Sequence, residues 1–325
     1  MKFILSLLFT LCLLPTFGAH HENDLWLDYK GKADLPGSGK HITLMAGDEE
    51  YRSEETMPML ARLLSERHGF DCRVLFSINP DGNFVDPNFS GNTPGLEILA
   101  MSDMFICATR FRKLPDDQAQ HLIDFSKTGK PMMGLRTATH GFSGGKFRFG
   151  PPILGEGWVA HHGGHKSEAC RGIIIEEKKD HPILRGVKDI FAPSDVYTVK
   201  IDRLKERGAD FLVLGAVLEN MKPDSNPVTN KKNDPMMPVV WTRTYTAEGG
   251  KPARVVASTM GSSVDFVHEG LRRIVINGVY WGLGMENQIK PDLNIDFVGP
   301  FKPTFFGFNK GDFWKDKGLK VSDLK

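Results

Sequence analysis

Short apolar runs alternate with amphipathic helical patterns through this chain, and that alternation leaves few folds open to it. Residues 41–46, 72–78, 104–108 and 131–135 are strand-length and almost wholly apolar. Between the first two, Leu60, Leu63 and Leu64 share a helical face behind Thr56, an N-cap candidate, and Pro58; Gly69 is the stop. Leu122, Ile123 and Phe125 make a second face after Pro115, closing near Gly129. Strands this apolar need cover on both faces, and strand–helix–strand repeats favour parallel pairing. The expected fold is therefore α/β, with a doubly wound, largely parallel sheet. Further strands are expected at 172–176, 211–218, 239–242 and 254–259. A last helix over 269–283 turns Leu271, Ile274, Val275 and Val279 inward.

The 325 residues suffice for one large α/β domain, and no internal repeat divides them. The formal net charge of +1 gives no basic excess for nucleic acid. Residues 1–19 read as a signal peptide: Lys2, an apolar run over 3–14, Pro15, then small residues. Export to a periplasm or the extracellular space follows, with no membrane span expected in the mature protein. Residues 20–40 read as a polar linker or arm, 41–290 as the α/β domain, and 291–325 as an extended aromatic tail packing on it. Beyond the signal segment lie Cys72, Cys107 and Cys170, without paired spacing. Buried free thiols are the expectation. A homo-oligomer is compatible with the sequence.

Open α/β sheets bind ligands beyond the carboxyl ends of their strands. The turn after the fourth strand, residues 134–140, places Arg136, Thr137, Thr139 and His140 there, with turn N–H groups suited to an anion or polarised carbonyl. The loop after the first strand brings Glu50, Tyr51 and Arg52, and Arg110 follows the third. A long glycine-rich segment, 141–164, leads into His161, His162 and His165, three of the eleven histidines. Imidazoles this close serve as metal ligands, as acid/base groups or as loop structure, and the glycines between them argue against an HExxH-type helix. Asp195 and Tyr197 offer a carboxylate and a phenol for sugar hydroxyls.

A resemblance rests on these segments. Residues 134–139, Gly-Leu-Arg-Thr-Ala-Thr after a strand, resemble the nucleophile-elbow position of the class I glutamine amidotransferase-like fold. With residues 41–52, 158–165, 180–187 (Asp-His-Pro-Ile-Leu-Arg-Gly-Val), 194–197, 238–243 and 277–284, in that order, the chain resembles the trehalose-utilisation (ThuA-like) family within that fold. The resemblance implies a flavodoxin-like, class I glutamine amidotransferase-like sheet and a role in carbohydrate metabolism. Arg136 stands where an amidotransferase needs Cys, and an arginine cannot attack an amide, so glutamine hydrolysis is excluded.

The expectation is an exported protein acting on a sugar or keto-sugar by acid/base chemistry. His161, His162 or His165 would move the proton, and Arg136 would hold developing negative charge. Glu50, Tyr51, Arg52, Arg110, Thr137, His140, Asp195 and Tyr197 would bind substrate. The alternatives are a non-catalytic carbohydrate-binding module and a hydrolase with a divalent metal at the histidine loop.

Overall fold

A computed structural model describes residues 25–325; the candidate signal segment lies outside them. Ten strands form one sheet: β1 (Trp26–Tyr29), β2 (His41–Gly47), β3 (Asp71–Leu75), β4 (Met104–Thr109), β5 (Met132–Leu135), β6 (Cys170–Ile174), β7 (Ile190–Ala192), β8 (Asp210–Val217), β9 (Met237–Thr246) and β10 (Pro252–Ser258). Their order is β1-β3-β2-β4-β5-β10-β9-β8-β6-β7. Strands β3, β2, β4, β5 and β10 run parallel, as the strand–helix alternation predicts. The other pairings are antiparallel.

The sheet is thus mixed, which corrects the expectation of a largely parallel one. Continuous apolar runs in β8 and β9 report burial on both faces, and hairpin-linked strands show the same run when both faces are covered. The direct signal was the link between β9 and β10, residues 247–251, whose Gly249 sits at φ 67. The segment read as a linker or arm contains an edge strand: β1 pairs with β3, from Trp26 opposite Leu75 to Tyr29 opposite Cys72.

Cores lie on both faces of the sheet. Helices α1 (Ser53–His68) and α4 (Glu269–Gly282) bury Leu60, Leu64, Ile274 and Val279 with Ile42, Leu44 and Ile106. Helix α2 (Asp116–Lys127) packs Leu122 and Phe125 on the other face with Met45, Phe105 and Cys107, and the short α3 (Ile201–Glu206) adds Leu204 there. The alternation of Leu44 and Met45 between the two cores is the period of two of a strand. Helix α1 starts one turn before the expected Thr56 cap. Ser53 Oγ accepts from the N–H groups of Gly47 and Asp48, and so fastens the helix start to the end of β2. Gly69 closes it at φ 84, its N–H reaching the carbonyls of Leu64 and Ser65. Cys72, Cys107 and Cys170 are buried free thiols. Among the described residues no helix is long and apolar enough to cross a membrane.

The tail over 291–325 runs along α1 and carries a short helix, α5 (Phe313–Lys317), with Trp314 buried. Arg52 lies over the Trp314 ring at 5.4 Å and 3.6 Å from Glu54. Burial pushes the Glu54 carboxyl up to about 7 despite that arginine. A carboxyl raised from 4.5 favours the folded state below that value and withdraws the contribution as pH rises to about 7. Wild type should therefore lose up to about 3 kcal/mol between pH 4.5 and 7 from this group alone, and Glu54→Gln should not. Urea unfolding of both proteins at pH 5 and pH 8 checks this.

Candidate functional site

The site forms where the carboxyl ends of β2 and β5 meet the long segment before β6. Arg136 follows β5 directly and begins a short 3-10 turn over Arg136–His140. Its φ is 47, an unfavourable conformation for a side chain other than glycine, costing about 1–3 kcal/mol. A nucleophile elbow has this strand–strained residue–helix geometry. The side chain, however, is turned inward and 1% exposed.

Arg136 Nη1 donates to the carbonyls of Asp195 (2.6 Å) and Thr259 (2.8 Å). Its Nη2 donates to Tyr51 Oη (3.0 Å) and Asp195 Oδ1 (2.8 Å). The rings of Tyr51 and Tyr197 lie against the guanidinium, at 4.4 and 3.7 Å. Enclosed in this way, Arg136 does not present a donor to substrate. The expectation that it holds a substrate's developing charge is corrected: it fixes Asp195.

Asp195 is the hub. His161 Nδ1 lies 2.7 Å from its Oδ2, and His165 Nδ1 lies 3.3 Å from its Oδ1. Burial alone would raise this carboxyl. The Arg136 charge and the hydrogen bonds from His161 and His165 outweigh it and hold the group well below the usual carboxylate range. Glu50 adds the second carboxylate, its Oε1 3.0 Å from His165 Nε2. Burial raises the Glu50 carboxyl, against the pull of His165. His161 and His165 stack with centroids 4.5 Å apart.

Several local devices hold these groups. Asp48 Oδ1 accepts from the N–H groups of Glu50 and Tyr51, and its Oδ2 accepts from Thr137, locking the β2 loop to the elbow turn. Asp265 accepts from the Ser194 N–H and hydroxyl, fixing the residue before Asp195. Tyr197 pairs with His161 in a two-residue antiparallel ladder. The glycine-rich segment packs hard on the elbow: a Cβ on Gly150 would fall 1.7 Å from the Thr139 carbonyl oxygen, so only glycine fits there. Glu156 anchors that segment through Arg203 and the Lys200 N–H.

Of the residues named from sequence, Glu50, Tyr51, Arg136, His161, His165, Asp195 and Tyr197 come together. Arg110 stands at the margin, 3.9 Å from Glu50 and paired with Glu49. Thr137 is buried on Asp48 and holds the loop rather than facing outward. Arg52 points to the tail, donating to the Gly307 carbonyl. His162 turns away, its Nε2 2.7 Å from the Lys232 carbonyl. His140 lies in an aromatic cluster with Phe111, Trp158 and Tyr197. Burial and the charges of Arg110 and Arg136 push it down to about 3, so it is neutral at ordinary pH.

Two contributors were not singled out from the sequence. Trp158, 39% exposed, stands beside His161 (4.9 Å) and Tyr197 (4.7 Å). Phe306 of the tail covers Tyr51 (5.2 Å) and His165 (5.7 Å). An exposed Trp within reach of a histidine cluster is a usable sequence signal; the return of Phe306 to the β2 loop has none.

No family model matches this sequence, and no curated protein does. Among solved structures, a ThuA-like protein from Bacteroides uniformis is similar over 81% of this chain and 98% of its own, with 12% identity and a TM-score of 0.51. The chain has a ThuA-like fold. A second ThuA-like protein, from Parabacteroides merdae, is similar over 75% of this chain and 90% of its own, at 12% identity and TM-score 0.47. The elbow strain at Arg136 agrees with the sequence resemblance. Burial pushes the Cys107 thiol up to about 12 and Cys170 higher still, so neither is an activated nucleophile.

Removing the guanidinium would leave the buried Asp195 carboxylate without its permanent counter-charge, facing only His161 and His165. Arg136→Ala should destabilise the protein by about 3–5 kcal/mol, read as a lowered urea midpoint. An unchanged midpoint would show that Asp195 finds its compensation elsewhere.

Proposed function

We propose that this protein is an exported enzyme of carbohydrate metabolism that moves a proton on a sugar or keto-sugar at the His161–Asp195–His165–Glu50 cluster. The observation that carries the reading is the Asp195–His161 pair. A carboxylate with no exposed side-chain surface takes Nδ1 of an imidazole that is 36% exposed. Such a pair fixes the ring and its tautomer, and leaves Nε2 to meet a substrate. Arg136 keeps Asp195 ionised and in place, as an orienting residue should.

The two flanking groups extend the scheme. Glu50, with its raised carboxyl, is placed to exchange a proton with His165 on the other side of the cluster. Trp158 offers an exposed ring face beside His161, suited to the apolar C–H face of a sugar ring. The chemistry is that of proton abstraction next to a carbonyl, as in isomerisation or elimination. The export proposal rests on the signal-like pattern at residues 1–19.

The test is conversion of a panel of disaccharides and their 3-keto derivatives, followed chromatographically. His161→Ala should lower kcat by about 10²–10⁴-fold, the usual worth of a positioned acid/base group. Trp158→Ala should raise KM with little change in kcat. Failure of wild type to convert any member, with binding detected by calorimetry, would replace the enzyme reading by that of a carbohydrate-binding module.

A further inference from the structure

We infer that His161, His165 and Asp195 form a binding site for one divalent transition-metal ion. The inference rests on the reading of this cluster as the reaction centre and names the species that completes it. One donor atom from each residue can be chosen so that all lie within 4.8 Å of one another. Two imidazoles and one carboxylate are the donor set of zinc or ferrous iron rather than of magnesium or calcium, which prefer oxygen alone.

The hydrogen-bond pattern points the same way. Glu50 Oε1 lies 3.0 Å from His165 Nε2. His165 thus lies between two carboxyl groups, with Nε2 toward Glu50 and Nδ1 toward Asp195. Nδ1 stands 3.3 Å from Asp195 Oδ1, a spacing that two donors about 2 Å from one tetrahedral ion would have. His161 Nδ1 faces the other oxygen of the same carboxylate at 2.7 Å. A single metal ion among the three groups would replace the proton in each contact.

The surroundings are those of a metal centre. Glu50 would be the outer carboxylate that orients a ligating histidine, and Arg136, at 2.8 Å from Asp195 Oδ1, the outer donor that orients a ligating carboxylate. The exposed side of His161 leaves a coordination position open to water or substrate. His161, His165 and Asp195 would hold the ion, and it would supply an acidified water beside the cluster.

Cobalt(II) decides the question because its visible bands report imidazole ligation without reference to turnover. Protein made without a histidine tag and stripped by chelator is titrated with cobalt(II) and followed by absorption. Wild type should bind one equivalent with d–d bands. His161→Ala and His165→Ala should each weaken binding at least about tenfold, with their fold checked by circular dichroism. His162→Ala should bind like wild type, since that ring lies outside the cluster. No cobalt bands in wild type, or equal binding by all variants, would overturn the inference. Sugar conversion by the stripped protein, measured separately, keeps the two readings apart. Turnover without metal binding leaves the reaction centre and removes the ion; metal binding without turnover does the reverse.

Discussion

The buried ion pair between Arg136 and Asp195 organises this protein's candidate centre. A guanidinium 1% exposed and a carboxylate with no exposed side-chain surface are both taken out of water, at a desolvation cost of several kcal/mol each. Such a pair survives when most of its remaining hydrogen-bonding capacity is met. Here the two terminal nitrogens of the arginine reach two carbonyls and a phenol besides the carboxylate, Nε alone is left without a partner, and two aromatic rings lie against the guanidinium. The pair therefore ties together the end of β5, the segment before Tyr197, the turn after β10 and the loop after β2. Replacing it with apolar groups need not weaken the fold, but it would leave His161 and His165 with nothing to orient them.

The strain at Arg136 is understandable in the same terms. A φ of 47 aims the side chain across the strand ends, where Asp195 and Thr259 lie, rather than along the following turn. In an elbow that carries a nucleophile, the same backbone shape displays a reactive atom to solvent. Here it drives a cation inward. The turn keeps its geometry, while the groups able to exchange protons with a ligand are supplied by the segment that packs over it. Asp48 and Asp265 hold the two sides of that arrangement through backbone N–H groups and hydroxyls, which costs no additional buried charge of opposite sign.

Much of the architecture was legible because it is local. Alternating apolar runs and helix stops located eight of the ten strands that form the sheet, and the three long helices. What failed was long-range. Strand direction in β8 and β9 depends on which strand lies alongside, and burial on both faces writes the same apolar run either way. Strand β7 is three residues long, too short for any period to show. The site divides by the same rule. Histidines four apart, and an arginine at a strand end, are visible as composition. That Arg136 is sealed from solvent depends on Asp195, 59 positions away, on its neighbour Tyr197, and on Tyr51 from the loop after β2. Arg52 and His162 mislead for the same reason. Adjacent residues in a loop point different ways, and spacing alone does not say which of them faces the ligand.

The tail shows how far the centre depends on chain remote from it. Gly307 N–H donates to the Glu50 carbonyl, Arg52 donates back to the Gly307 carbonyl, and Phe306 covers His165. These contacts hold the backbone of the β2 loop in addition to Asp48. The Glu50 backbone is thus held at its N–H by Asp48 and at its carbonyl by Gly307, while its carboxylate meets His165. Without the tail, the loop would keep its Asp48 anchor but lose the ring that shields the Glu50–His165 contact from water. A more exposed contact of this kind is weaker and less directional, because water competes for both partners. The aromatic tail is therefore a wall of the candidate centre as well as a cover for α1, and its distance in sequence is what hid that role.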